Sequence, residues 1–212
     1  MDSINQLADL FKKLPGIGPR QARRFVYYLL SADQNFLDQM SDKIRSLKKD
    51  IRQCTECQRY FSNNYNPQNS LCKICSDTLR DKSSLLIVEK DVDLEAVEKS
   101  GSYRGYYFVL GGAVPILDPN PETHIRFPLL LSKLEAKIKE GLSEIIIALP
   151  VTTEGDHTAH WLATKLHPLV DLPTQTGQAQ LKISFPGRGL STGSELEYAD
   201  SETIKNALAN RQ

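Results

Sequence analysis

The four cysteines of this 212-residue chain fall into two pairs of identical spacing, Cys54-Thr55-Glu56-Cys57 and, fourteen residues later, Cys72-Lys73-Ile74-Cys75. A Cys-x-x-Cys knuckle turns the backbone so that both sulfurs aim at one centre. Two knuckles complete a tetrahedron of soft thiolates with no position left for water, which is the demand of a structural Zn²⁺. Two disulfides would require an oxidising compartment, and a redox Cys-x-x-Cys would not need a twin. Structural zinc held by Cys54, Cys57, Cys72 and Cys75 is therefore the expectation.

A second group of residues is acidic. Glu89 ends the apolar run Leu85-Leu86-Ile87-Val88, and Glu154-Gly155-Asp156 follows Ile145-Ile146-Ile147. Carboxylates just beyond strand ends are hard oxygen ligands at the edge where α/β sheets bind ligands, so Mg²⁺ is a second candidate cofactor. Glu154 and Asp156 could equally cap the helix that follows. No nucleophile accompanies the acids, which argues for binding over catalysis. His157 and His160 make a His-x-x-His pair on the same helix, with no further ligand near in sequence. The glycine-rich run Gly187 to Gly193 lacks the lysine and the spacing of a P-loop.

A third group is basic. In Leu14-Pro15-Gly16-Ile17-Gly18-Pro19-Arg20, Gly16 and Gly18 permit a tight turn and close backbone approach to a ligand. The amides that open the next helix favour a phosphate, and Arg20 and Arg24, four residues apart, share a face. Such contacts position DNA without reading its sequence.

These groups need elements to hold them. Ile4, Leu7, Ala8, Phe11 and Leu14 recur at helical spacing, as do Ala22, Phe25, Val26, Leu29 and Leu30. Gln34 to Ile51 reads as a third helix that completes a small bundle, with Phe36 and Met40 in its core. Tyr60 to Pro67 is polar and turn-rich. Beyond Ser83, strands and helices alternate: strand Leu85–Val88, helix Val92–Lys99, strand Tyr106–Leu110, helix His124–Glu140. They continue with strand Glu144–Leu149, helix Asp156–Leu166 (Trp161 in the core), strand Leu181–Phe185 and a last helix from Asp200. That alternation implies a mainly parallel sheet covered on both faces. The fold class is thus multidomain α+β, a helical module and a cysteine segment followed by an α/β domain.

Charge is as uneven as structure. The chain holds 26 Lys and Arg against 26 Asp and Glu, yet residues 1–52 carry ten basic and six acidic side chains. A basic module on a mildly acidic body points to nucleic acid at the N-terminal end. No apolar run is long enough to span a bilayer, and the start has no signal-peptide pattern, so a cytoplasmic protein is expected.

The helix, Leu-Pro-Gly-Ile-Gly turn and helix resemble a helix-hairpin-helix motif. The strand-end Glu89 with a later Glu-x-Asp resembles a Toprim domain, whose second acidic element is Asp-x-Asp. In order along the whole chain, five stretches resemble the bacterial recombination mediator family RecR. They are Leu14 to Arg20, the four cysteines, Tyr103-Arg104-Gly105 with Val109 to Ala113, Thr153 to Asp156, and Gly189-Leu190 with Leu196 to Asp200. The resemblance implies a helix-hairpin-helix domain at 1–52, a zinc segment at 53–80, a Toprim domain at 81–186 and a C-terminal segment at 187–212. It implies a non-enzymatic DNA-binding protein that forms a homotetrameric ring and acts with RecO and RecF to load RecA on gapped or single-stranded DNA. Arg20 and Arg24 would contact DNA, and Glu154 and Asp156 would support the RecO contact. A Mg²⁺-dependent Toprim nuclease or primase-like enzyme using Glu89, Glu154 and Asp156 is the alternative.

Overall fold

A computed structural model describes residues 2–62, 70–170, 181–190, 193 and 195–209. Part of the turn-rich stretch (63–67) and Ser191 and Thr192 of the glycine-rich run lie outside them. The chain forms two compact units, one holding Met1–Arg52 and the other Gln53–Phe61 with the described residues from Ser70 onward.

In the first unit, helices α1 (Ser3–Phe11), α2 (Pro19–Ser31) and α3 (Gln34–Asp50) follow one another. The side chains of Asp2 and Asp33 cap α1 and α3 by accepting from the amides of Ile4 at 3.2 Å and Phe36 at 2.9 Å. The core consists of Ala8, Ala22 and Val26 with Ile4, Leu7, Phe11 and Ile17 packed around it. Contrary to expectation, α3 does not complete that core. None of its residues is buried, and Phe36, Ile44 and Leu47 are exposed. Small alanines at the α1–α2 crossing let those two helices close on each other, leaving the α3 stripe beside an open apolar groove with Leu7, Leu10, Leu14 and Leu29.

Strands β1 (Ile51–Gln53) and β2 (Tyr60–Ser62), whose residues divide between the two units, bracket the first knuckle, and the short α4 (Lys73–Ser76) of the second unit carries the second. Then come β3 (Asp81–Val88), α5 (Asp91–Ser100), β4 (Gly105–Val109), α6 (Phe127–Lys139), β5 (Glu144–Ala148), α7 (Thr153–Leu166), β6 (Lys182–Ser184) and α8 (Ser201–Ala209). The sheet order is β4-β3-β5-β6 and every pair is parallel, with Leu85 opposite Tyr106 and Ile145, and Ile145 opposite Ile183. Side chains alternate between the two faces. Leu85, Ile87, Phe108, Ile145 and Ile147 meet α6 and α7 on one side, whereas Leu86, Val88, Tyr107 and Val109 share a core with Cys54, Cys57, Cys72 and Leu94 on the other. Trp161 is half-buried and meets Phe127 edge-on at 4.9 Å between ring centroids.

Two helix starts differ by three residues from those read in the sequence. α6 begins at Phe127, because Pro128 is tolerated only in a first turn, and Pro121–His124 forms a separate 3-10 turn. α7 begins at Thr153, with the Thr152 hydroxyl accepting from the Gly155 amide at 3.1 Å. Among the described residues no helix is long and apolar enough to cross a membrane.

Candidate metal centre and nucleic-acid interface

Each knuckle is built by its own backbone. In the first, the Cys54 amide donates to Arg59 O at 2.8 Å and the Gln58 amide to Cys54 O at 3.0 Å, with Gln58 in the left-handed region at φ 63°. In the second, Cys72 precedes α4, and the Ser76 amide closes the turn on Cys72 O at 3.0 Å. The Thr55 amide reaches Ser70 O at 3.0 Å and joins the two. The four sulfurs lie within 4.8 Å of one another, and Cys54, Cys57 and Cys72 are almost wholly buried. Hydrogen bonding from Cys57 and then Cys72 pulls the Cys54 thiol far below its ordinary range, while bonding with Cys54 and Cys57 pushes Cys75 up. A divalent cation takes such sulfurs as thiolates, so its binding here would release their protons. The donor set, four convergent sulfurs with no oxygen among them, fits Zn²⁺.

The first knuckle is anchored to the sheet. Cys57 O accepts the Val109 amide at 2.8 Å, and Arg126 Nη1 donates to Gln58 O and Val109 O, both at 3.1 Å. Glu56 pairs with Lys133 at 3.0 Å and Lys137 at 3.2 Å on α6. Burial disfavours the Glu56 carboxylate, but those two lysines outweigh it and hold its pKa below the ordinary value.

The basic group lies on α2. Gly16 adopts φ +77°, which a residue with a Cβ would resist, while Gly18 is extended at φ −81° and caps α2 with no side chain to offer. The sequence reading treats the amides of Gly16 to Arg20 as one phosphate cradle. The structure narrows it, since the Ile17 amide already bonds Leu14 O at 3.2 Å and Pro19 has none. Arg20, Arg23 and Arg24 are all exposed, and Arg20 and Arg23 line a cleft with Lys12 and Asn5. Arg23 was missed in the sequence, although its spacing of three from Arg20 is a helical-face signal.

The acids occupy the carboxyl edge of the sheet. Glu89 is nearly buried and pairs with Lys90 at 2.7 Å. Glu154 and Asp156 sit in the first turn of α7, where the helix dipole favours negative charge. Gly155 between them is required: a Cβ there would stand 2.0 Å from Pro150 O. Both Asp156 oxygens are engaged by the Arg188 guanidinium, Nη1 to Oδ2 at 3.4 Å and Nη2 to Oδ1. His160 Nδ1 lies 2.8 Å from Asp156 O and its ring stacks on Phe185. Among the described residues the cysteines are the group whose ligand atoms converge, and Glu89, Glu154 and Asp156 form no such group. With two of three carboxylates paired to cations and none converging, this edge does not fit Mg²⁺ as it stands.

Comparison with known families resolves what these parts compose. A family model described as RecR, helix-hairpin-helix matches residues 4–48, a Toprim domain model matches 83–172, and a model described as RecR, C-terminal matches 189–212. A recombination protein RecR of Dehalococcoides mccartyi is 38% identical over 212 residues, covering 99% of this chain and 94% of that one. The chain belongs to the RecR family. RecR proteins of Bifidobacterium longum subsp. infantis and Mycobacterium leprae are each 36% identical, over 99% of this chain and 96% of theirs. The RecR models account for the two ends of the chain and the Toprim model for most of β3 through α7, while β6 and Arg188 fall between the Toprim and C-terminal matches.

Proposed function

We propose that this chain is a DNA-binding mediator of recombinational repair that acts in the cytoplasm with RecO and RecF to load RecA on gapped or single-stranded DNA. Its role is binding and assembly rather than catalysis. The observation that carries the DNA reading is the start of α2, where a glycine leaves the amides without a side-chain cap while Asp2 and Asp33 cap the other two helices of the module. Phosphate supplies the missing acceptor, Arg20 and Arg24 neutralise it, and Gly16 and Gly18 let the strand come close. Residues 1–52 act as the DNA module, 53–80 as the segment whose cysteines hold Zn²⁺, 81–186 as the Toprim domain and 187–212 as the C-terminal segment. Glu89, Glu154 and Asp156 serve partner contacts. The open apolar groove of the first unit supports assembly into a homotetrameric ring, which would repeat the basic module and raise affinity through multivalency.

The test is a labelled gapped duplex incubated with the protein and Mg²⁺ over a salt series, then run on native and denaturing gels. The expected result is a salt-sensitive shift with intact strands, and Arg20→Ala with Arg24→Ala flattening the log–log salt slope by about two. Strands shortened or extended by the wild type, but not by Glu89→Ala, would replace this reading with a Mg²⁺-dependent nuclease or primase-like enzyme.

A further inference from the structure

The four cysteines are not equally sheltered. Cys54, Cys57 and Cys72 are almost wholly buried in the core they share with Leu86, Val88, Leu94, Tyr107 and Val109, whereas Cys75 is only partly buried. Of the four, Cys75 also lines an open cavity of about 160 Å³, far more than the ~15 Å³ that a single water requires. The cavity walls carry Lys82 and Lys137 against Glu56 and Glu140, and Lys137 is already paired with Glu56 at 3.2 Å. These charges cancel, so the cavity favours a small uncharged solute over an anion. Cys72 lies on the same knuckle as Cys75, with the two sulfurs within 4.8 Å of each other. Joining that pair needs no movement of one knuckle against the other.

We propose that Cys75 is an oxidation site, the point at which hydrogen peroxide enters the cysteine cluster and unlocks the metal. A ligand sulfur is held as a thiolate, the reactive form. The Cys75 sulfur attacks one peroxide oxygen and breaks the O–O bond. Sulfur gives up two electrons and becomes a sulfenic acid, while the peroxide is reduced and its second oxygen leaves as hydroxide. The Cys72 thiolate then attacks the Cys75 sulfur, an S–S bond replaces the S–O bond, and a second hydroxide leaves. That disulfide takes two of the four ligands, and a closed structural site needs all four. Burial of the other three sulfurs gives the cluster one vulnerable member, since oxidation follows thiolate character and exposure.

Because this oxidation presupposes zinc on the four sulfurs, the test begins with the metal content of the untreated full-length protein. About one zinc per chain is expected, and a chain without metal overturns the zinc assignment and this site with it. The zinc-loaded protein is then treated with an equimolar amount of hydrogen peroxide. Zinc release is followed with a chromogenic chelator, and samples are alkylated, digested with trypsin and mapped by mass spectrometry. Trypsin cleaves after Lys73, so Cys72 and Cys75 fall on separate peptides, 60–73 and 74–80, while Cys54 and Cys57 share 53–59. The expected first product is a disulfide between 60–73 and 74–80, formed in step with zinc release, or a dimedone adduct of Cys75 when that trap is present. Cys75→His keeps four ligands without the oxidisable sulfur; it should retain zinc and lose the fast release. If histidine does not hold the ion, the order of oxidation in the wild type decides. A dimedone adduct on Cys54, Cys57 or Cys72 ahead of Cys75, or release as fast in zinc-loaded Cys75→His as in the wild type, would overturn the oxidation site while leaving the zinc assignment intact.

Discussion

The strongest single test of how the acidic turn is held is Thr158→Val. Thr158 is fully buried, and its hydroxyl makes two bonds: it accepts the Val114 amide at 2.8 Å and donates to Glu154 O at 2.7 Å. One hydroxyl thus fastens the turn after β4 to the first turn of α7. Valine keeps the shape and removes the acceptor, leaving the Val114 amide buried without a partner. That penalty is about 1–3 kcal/mol, because an unsatisfied buried donor loses its full hydration. Glu154 O loses less, since it keeps a place in the helical ladder. A value near 2 kcal/mol should lower the midpoint of thermal unfolding by about 4–8 °C for a chain of this size. Thr158→Ser keeps the hydroxyl and loses one methyl group, about 0.8 kcal/mol. The assay is urea unfolding of both variants, followed by hydrogen exchange at the Val114 amide, which should become faster in the valine variant alone. If Thr158→Val is as stable as the wild type, or less destabilising than Thr158→Ser, the hydroxyl is not what joins these turns.

Other perturbations separate the remaining parts. Arg23→Ala should weaken DNA binding and reduce the log–log salt slope by about one, measured by fluorescence anisotropy; an unaltered slope removes Arg23 from the interface. Cys75→Ser should lower the retained zinc, read by elemental analysis, and lower the unfolding midpoint of the α/β unit, whereas full metal content in the variant would contradict a four-sulfur site. Gly155→Ala forces a Cβ against Pro150 O and should destabilise by about 1–3 kcal/mol in chemical unfolding; a neutral result would mean that the turn yields. Glu98 gives a pH signature. Burial raises its pKa, but the two hydrogen bonds and the charge of Arg80 bring it below the ordinary 4.5. A depressed acid contributes stability above its ordinary pKa and loses it as pH falls through the folded value. Unfolding midpoints should therefore drop below about pH 4.5, less steeply in Glu98→Gln, and parallel curves would assign the drop to other carboxylates.

The alternating apolar runs made the α/β body legible because strands buried on both faces read as continuous Leu, Ile and Val. The cysteine spacing led directly to the convergent sulfurs. Helix boundaries were less legible where a cap or a proline decides them. Thr152 starts α7 ahead of the acids, and Pro128 delays α6, each through a backbone constraint that hydrophobic periodicity does not register. The helical stripe of α3 was legible as a helix and misleading as a core, since periodicity reveals an apolar face but not whether anything covers it. Arg126 and Arg188 were invisible as anchors because their partners are distant in sequence, carbonyls 68 and 17 residues from Arg126 and a carboxylate 32 from Arg188, that only folding brings near.

The bond from the Val109 amide to Cys57 O has a consequence for assembly. β4 is an outer strand of the sheet, and outer strands present unpaired amides and carbonyls on which another chain can add a strand. Here the first knuckle covers the end of that border, with Cys57 O accepting one amide and Arg126 occupying the Val109 carbonyl. A metal bound by the four cysteines would hold the knuckle in place and so guard the sheet against templated aggregation. A chain whose cysteines are oxidised or stripped of metal would present a sticky edge before it lost its core, and protein made under zinc starvation would be expected to accumulate as insoluble β-rich material.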